Sequence, residues 1–214
     1  MQRLAIWDLD GTLVDSSLDL CASGNHVRQT MSLEPLSVPA VKAMIGDGLT
    51  ALLQRMLPEG TDIDWAKSIF ADHYDEQCVK NTPLYEGMAS VLAQLHAQGW
   101  MSALVSNKPD RWCGPILKAN NIDHYFSTIR GGDGIRKPQP DPLLDVCREC
   151  EVDISCAVMI GDLSNDILAA NNAGCSSIHV RWGFGPLPDG LTASRDCEHY
   201  THLVDILNDV IRCP

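Results

Sequence analysis

Short apolar runs recur along the chain, and most stop at a glycine or a charged residue. They occupy residues 3–9, 101–106, 127–130, 157–161 and 176–181. Runs this short, flanked by glycines, predict β-strands rather than helices. Between the later runs the pattern changes to a helical one, over residues 87–99, 110–120, 141–151 and 164–173. Strand and helix thus alternate through the second part of the chain. That βαβ rhythm predicts an α/β fold with a parallel sheet covered by helices on both faces.

One interval breaks the rhythm. From about residue 16 to residue 81 no strand pattern occurs. Residues 17–31, 38–45, 49–57 and 64–79 read as helices, separated by Pro35, Pro39, Gly46, Gly48, Pro58 and Gly60. So small a helical piece has a thin core of its own and is expected to lean on the main body as a cap. The division expected is a catalytic core of residues 1–15 and 82–214, with residues 16–81 as the cap. Residues 183–196 read as a turn-rich loop before a last amphipathic helix near 200–212.

Composition narrows the function classes. Acids outnumber bases 28 to 16, a formal charge of −12. Such a surface repels polyanions, which argues against nucleic acid and anionic membranes as partners. No apolar stretch is long enough for a membrane span. The N-terminus runs directly into the first strand, which leaves no room for a signal peptide. Nine cysteines at irregular spacing fit reduced thiols in a cytoplasmic protein better than a disulfide framework. Cys147-x-x-Cys150 with Cys156 lacks a fourth ligand for zinc, and the seven histidines show no paired spacing. Oligomeric state is left open between monomer and homodimer.

Ligands of parallel α/β sheets sit beyond the carboxyl ends of the strands. The residues at those ends therefore carry the functional signal. They are Asp8-Leu9-Asp10-Gly11-Thr12, Ser106-Asn107-Lys108-Pro109, Lys137-Pro138, and Gly161-Asp162-Leu163-Ser164-Asn165-Asp166. Carboxylates gathered at one edge repel unless a cation or a shared proton lies between them. Hard oxygen ligands select Mg²⁺ over zinc. Asp8 and Asp10 point in a common direction, and different surroundings can make one a nucleophile and the other a proton carrier.

The stretch from Asp8 to Ser16, with Ser106, Lys137 and Gly161-Asp162-x-x-x-Asp166, resembles the four motifs of the haloacid dehalogenase superfamily of phosphatases. The resemblance spans residues 4–16 and 82–181. It implies a Rossmann-like core, with the helical insert at the place of a C1-type cap. Met44-Ile45-Gly46-Asp47-Gly48, Val105-Ser106-Asn107-Lys108-Pro109 and Lys137-Pro138-x-Pro140-Asp141-Pro142 are similar to the phosphoglycolate phosphatase branch. Trp7 stands where the family usually has Phe, and Ser106 where this branch usually has Thr. True dehalogenases lack the second aspartate, here Asp10.

The resemblance implies a phosphomonoester hydrolase acting on a small-molecule phosphate ester. Asp8 would attack phosphorus and form an aspartyl phosphate, and Asp10 would act as acid and then base. Mg²⁺ would be held by Asp8, Asp10 through its carbonyl, and Asp162, with Asp166 on a metal-bound water or orienting a partner. Ser106, Asn107 and Lys137 would contact the phosphoryl group. Thr12 and Gly46 would border the substrate, and Lys42 would either meet a substrate carboxylate or be a solvated helix lysine. Lys108 reads as an exposed loop lysine, and Gly183 and Gly185 as ordinary turn glycines. A phosphosugar mutase or a noncatalytic binding protein of the same fold remain the alternatives.

Overall fold

The computed structural model describes residues 2–211 and 213. The chain opens with β1 (Arg3–Trp7) and then forms four helices, α1 (Ser17–Thr30), α2 (Val38–Lys42), α3 (Leu49–Met56) and α4 (Ile63–Gln77). There follow α5 (Met88–Ala97), β2 (Trp100–Val105), α6 (Asp110–Ala119), β3 (Phe126–Arg130), α7 (Asp141–Glu149) and β4 (Ala157–Gly161). The chain continues through α8 (Ser164–Ala173), β5 (Ser176–Val180), β6 (Arg195–Cys197) and α9 (Leu203–Val210). The strands form one sheet in the order β3-β2-β1-β4-β5-β6. Every pairing in it is parallel.

Each strand of the central pair is buried on both faces, as a doubly covered parallel sheet requires. In β1, Ala5 and Trp7 join the apolar cluster on one face, and Leu4 and Ile6 join the other. Trp7 is fully buried, and its indole N–H donates to the Ser102 hydroxyl at 3.2 Å. The larger ring at this position thus has both room and a partner for its one polar atom.

The four inserted helices share the apolar cluster of the β1 face that carries Trp7. Leu53, Met56, Phe70 and Tyr74 pack into the same contiguous cluster as Leu9, Leu13 and Trp112. Each fully buried large side chain here is worth about 1.5–3 kcal/mol. Local signals set the helix starts. Asp62 caps α4 by accepting from the main-chain N–H groups of Asp64 and Trp65 at 3.0 and 3.1 Å. Ser37 caps α2 in the same way through Ala40.

Two expectations are corrected. The loop of residues 183–196 ends in a sixth strand, β6, paired with β5. Its residues are Arg195, Asp196 and Cys197, of which only Cys197 is buried. So short and charged a segment carries no apolar run, and its strand conformation comes from the edge it joins. Secondly, Cys156 and Cys213 are paired as a disulfide, where free thiols were expected throughout. The pairing joins residues 57 apart, which no sequence spacing foretells. Cys147 and Cys150 are free and buried in the apolar cluster of the second sheet face.

Candidate active site

The site lies at the carboxyl ends of the two central strands. Asp8 follows β1, and its main-chain N–H continues the ladder to Ile160 at 2.9 Å. Asp162 follows the neighbouring β4. Asp166 lies in the first turn of α8, where the positive helix end favours a carboxylate. One oxygen from each of Asp8, Asp162 and Asp166 lies within 4.8 Å of the other two, and all three residues are buried. The Asp10 carboxylate is outside this trio.

Lys137 neutralises part of the cluster. Its ammonium lies 2.9 Å from Asp8 Oδ1, 2.7 Å from Asp166 Oδ1 and 2.7 Å from the Val105 carbonyl. Its three N–H groups are therefore engaged, and it acts as a fixed positive charge beside Asp8. Burial alone would lower this ammonium, but Asp166 and Asp8 more than offset it and hold Lys137 above the ordinary lysine range. The carboxyls remain undercompensated. Burial pushes Asp8 up to about 6, against the pull of Lys137. Burial, with Asp166 and Asp8 nearby, also raises Asp162 well above the carboxylate range.

Surrounding groups orient these carboxylates. Thr12 Oγ1 donates to Asp162 Oδ1 at 3.1 Å, and the Phe184 N–H donates to Asp162 Oδ2 at 2.7 Å. Asp166 Oδ2 accepts from the Leu163 N–H at 3.0 Å. Thr12 was expected to border the substrate; its buried hydroxyl instead faces Asp162. Gly11 has φ +87°, and a Cβ there would run into the Asp162 carboxylate. Gly183, expected to be an ordinary turn glycine, has the same neighbour: a Cβ would meet the Asp162 side chain. Gly185 has only Leu163 nearby, at 3.9 Å.

The Asp10 carboxylate faces a residue that sequence reasoning placed elsewhere. Lys108 was expected in an exposed loop, but it is buried, with Nζ 3.1 Å from both Asp10 oxygens. It also lies 4.8 Å from the centre of the Tyr74 ring on α4. Burial opposes its charge, yet Asp10 and then Tyr74 keep Lys108 above the ordinary lysine range. The available signal was its place, two residues past Ser106 at a strand end.

Ser106 and Asn107 end β2. Ser106 Oγ accepts from the Lys108 N–H at 3.3 Å, which leaves its own O–H to donate elsewhere. The Asn107 side chain spans the insert and the core, donating to the carbonyls of Gly46 and Lys137 at 3.0 Å each. Asn165 adds a second tie, donating to Asp47 Oδ1 at 2.6 Å. Gly46 thus belongs to a loop latched onto the sheet edge.

A cavity opens above Asp8 and Asp10, between insert and core. Ser106, Asn107, Lys108 and Gly46 line it, and its walls are mostly apolar: Leu20, Leu49, Leu52, Phe70 and Trp112. Lys42 is not among its lining residues. Its ammonium pairs with Asp15 at 3.4 Å and sits 4.8 Å from the Phe184 ring centre. The wall residues were missed in the sequence because they read there as ordinary helix-core positions.

The chain is similar to known proteins over most of its length. The sequence signature of the haloacid dehalogenase-like hydrolases matches residues 5–180. A phosphoglycolate phosphatase of Psychrobacter arcticus is 34% identical over 220 residues, covering 96% of each chain. One from Vibrio cholerae is 32% identical, covering 85% of each. The crystal structure of a predicted phosphoglycolate phosphatase from Haemophilus somnus superposes with a TM-score of 0.87 at 31% identity, covering 96% of this chain and 97% of that one. With a sequence match that runs from β1 through β5 and a fold shared over nearly the whole length, the chain belongs to the haloacid dehalogenase-like hydrolases.

Proposed function

We propose that this phosphatase is an Mg²⁺-dependent phosphomonoester hydrolase acting through an aspartyl phosphate, with phosphoglycolate as its substrate. The observation that carries the reading is Asp8 itself. It is a buried carboxylate at the end of the central strand, held by Lys137 and open to the cavity, with a second aspartate beside it. The name shared by its relatives supports the substrate.

The donor set fits a hard divalent cation. Three carboxylates meet in a buried space with one ammonium to offset them, and two are driven toward the protonated form when no further cation is there. Asp8, Asp162 and the Asp10 carbonyl would hold Mg²⁺, and Asp166 would orient Lys137 and the bound waters. When bound, the ion supplies the charge that lets an anionic phosphoryl group approach this acidic edge.

The chain's own residues then carry the chemistry. Lys137 fixes one oxygen of Asp8 and leaves the other to attack phosphorus. The bond from Asp8 to phosphorus forms as the ester P–O bond breaks, and Asp10 gives its proton to the departing alkoxide. Asp10 next takes a proton from water, which attacks phosphorus and releases phosphate and free Asp8. Ser106 Oγ and the Asn107 main-chain N–H donate to the phosphoryl oxygens. The inserted helices act as the cap of residues 16–81 and exclude bulk water from the cavity.

The walls disfavour a phosphosugar mutase. A bound sugar would place several hydroxyls against Leu20, Leu52, Phe70 and Trp112, where they find no partners. A phosphate-release screen over a panel of metabolite esters, with and without Mg²⁺, tests the reading. Phosphoglycolate should give the largest rate, and a chelator should abolish it. Release that is equal with chelator present would overturn the metal, and indifference to the ester would overturn the substrate.

A further inference from the structure

The cavity over the nucleophile holds one cation that the mechanism above does not use. Lys108 is the only lysine or arginine among its lining residues. Lys67, Arg111 and Arg136 line an adjoining groove, which shares Leu49, Asn107, Pro109 and Trp112 with the cavity, and Lys42 is paired with Asp15. The Lys108 side chain is 2% exposed, so its charge is committed to the cavity and not to solvent. Its two contacts with Asp10 engage two N–H groups at most, and an ammonium has three.

Position then restricts what the third N–H can meet. Asp10 hands its proton to the ester oxygen, so that oxygen must come within hydrogen-bond reach of Asp10. Lys108 Nζ is itself 3.1 Å from the Asp10 oxygens. A group one or two bonds beyond the ester oxygen is therefore within reach of Lys108. The remaining walls, Leu20, Leu52, Phe70 and Trp112, offer no donors near it except the Trp112 indole. That indole N–H is already given to Asp75 at 2.6 Å.

We propose that Lys108 is the specificity-determining residue of this hydrolase, and that it binds a carboxylate on the carbon next to the ester oxygen. The substrate class is the phosphate esters of short 2-hydroxy acids. This deepens the hydrolase reading above and rests on it. It also moves the recognising cation from the cap, where Lys42 was the candidate, to the core, beside the acid–base aspartate. The Tyr74 ring of α4 lies over the Lys108 ammonium, so the cap covers the carboxylate site without supplying its charge.

The test compares two esters that differ in the group at issue, 2-phosphoglycolate and 2-hydroxyethyl phosphate, under saturating Mg²⁺. A charged hydrogen bond in a dry cavity predicts a preference for phosphoglycolate of about 10- to 100-fold in kcat/KM for the unaltered enzyme. Lys108→Met should bring the ratio close to one, on top of any loss common to both esters. Lys108→Arg should restore part of it, and Lys42→Met should keep the original ratio. The common loss reports on the positioning of Asp10, and the ratio reports on the carboxylate. If Lys108→Met lowers both esters alike, or Lys42→Met collapses the ratio, the inference is overturned while the hydrolase reading stands. Hydrolysis of neither ester by the unaltered enzyme overturns the substrate reading and the inference together. If Lys108→Met does not fold, the unaltered enzyme and Lys108→Arg still decide: no preference in the first, or an undiminished one in the second, overturns the assignment.

Discussion

Asp8 and Lys137 form a buried pair in which the lysine holds one oxygen of the carboxylate, and Asp8 lines the cavity. Asp8→Asn keeps the shape but removes the attacking oxyanion. Phosphate release should fall by more than about 10³-fold, the scale seen when a covalent nucleophile is lost. Retention of release in this variant, measured with phosphoglycolate and Mg²⁺, would rule out the covalent route. Gly183 gives a second residue-scale prediction. A Cβ there meets the Asp162 side chain, whereas one on Gly185 meets only Leu163 at 3.9 Å. Gly183→Ala should weaken Mg²⁺ binding by about 10- to 100-fold, as loss of support around a metal ligand does. Gly185→Ala should leave it unchanged, and a Mg²⁺ titration of both variants by calorimetry separates them. These residues also mark what could be read in advance. Asp8 and Asp162 announce themselves as charged groups at strand ends, and Lys137 as a charged group in the loop that follows a strand. Gly183 and Lys108 do not, because their roles follow from which side chain packs on them, and that depends on a loop of the sheet edge and a helix of the insert.

The insert and the core are joined at several places, among them the Trp112 indole on Asp75. A second is the latch of Asn107 and Asn165 on the loop of Gly46 and Asp47. A third is a knot where the chain leaves and re-enters the core. Asp19, in the first turn of α1, accepts from the Asn81 N–H at 2.7 Å, the Asn81 side chain at 3.0 Å and the Thr82 hydroxyl at 2.8 Å. Asp19 is 1% exposed and Thr82 4%, so removal of the Asp19 carboxylate strands the Thr82 hydroxyl away from water, while the exposed Asn81 can turn to solvent. Asp19→Ala should cost about 1–3 kcal/mol, or roughly 2–12 °C in Tm for a chain of this size. A thermal melt unchanged from the parent would show that the knot bears no load. The elements themselves were legible wherever apolar residues repeat over a full turn or a full strand, as in α1, α4, β1 and β4. The misread element, β6, lacks such a repeat and has one buried residue. Its pairing partner defines it, and the sequence holds no local trace of a partner.

At the scale of the whole molecule, a formal charge of −12 and a substrate bearing phosphate stand in tension. The Mg²⁺ proposed for the buried edge would resolve it, and pH makes that measurable. Burial raises Asp8 to about 6 and raises Asp162 as well, so the native state holds more protons than the unfolded chain between the ordinary carboxyl value and those raised values. Stability from these two groups is therefore complete below about pH 4 and is lost as pH rises through 6 and beyond. Asp15 and Asp47 oppose this. Burial alone would raise both, but hydrogen bonds from Ser17 to Asp15 and from Asn165 to Asp47, with nearby cations, hold them low. Their stability is present at neutral pH and lost as pH falls through their depressed values. A melt of the metal-free protein sums the two groups, but the increment from added Mg²⁺ isolates the first. A cation competes with protons only at carboxylates that bind it, and the linkage gain grows as those carboxylates ionise. The rise in Tm on adding Mg²⁺ should thus be larger at about pH 7.5 than at about pH 5, and Asp162→Asn should flatten the difference. An equal rise at both values would mean that the ion binds away from the buried cluster, and the charge balance of the whole molecule would need another explanation.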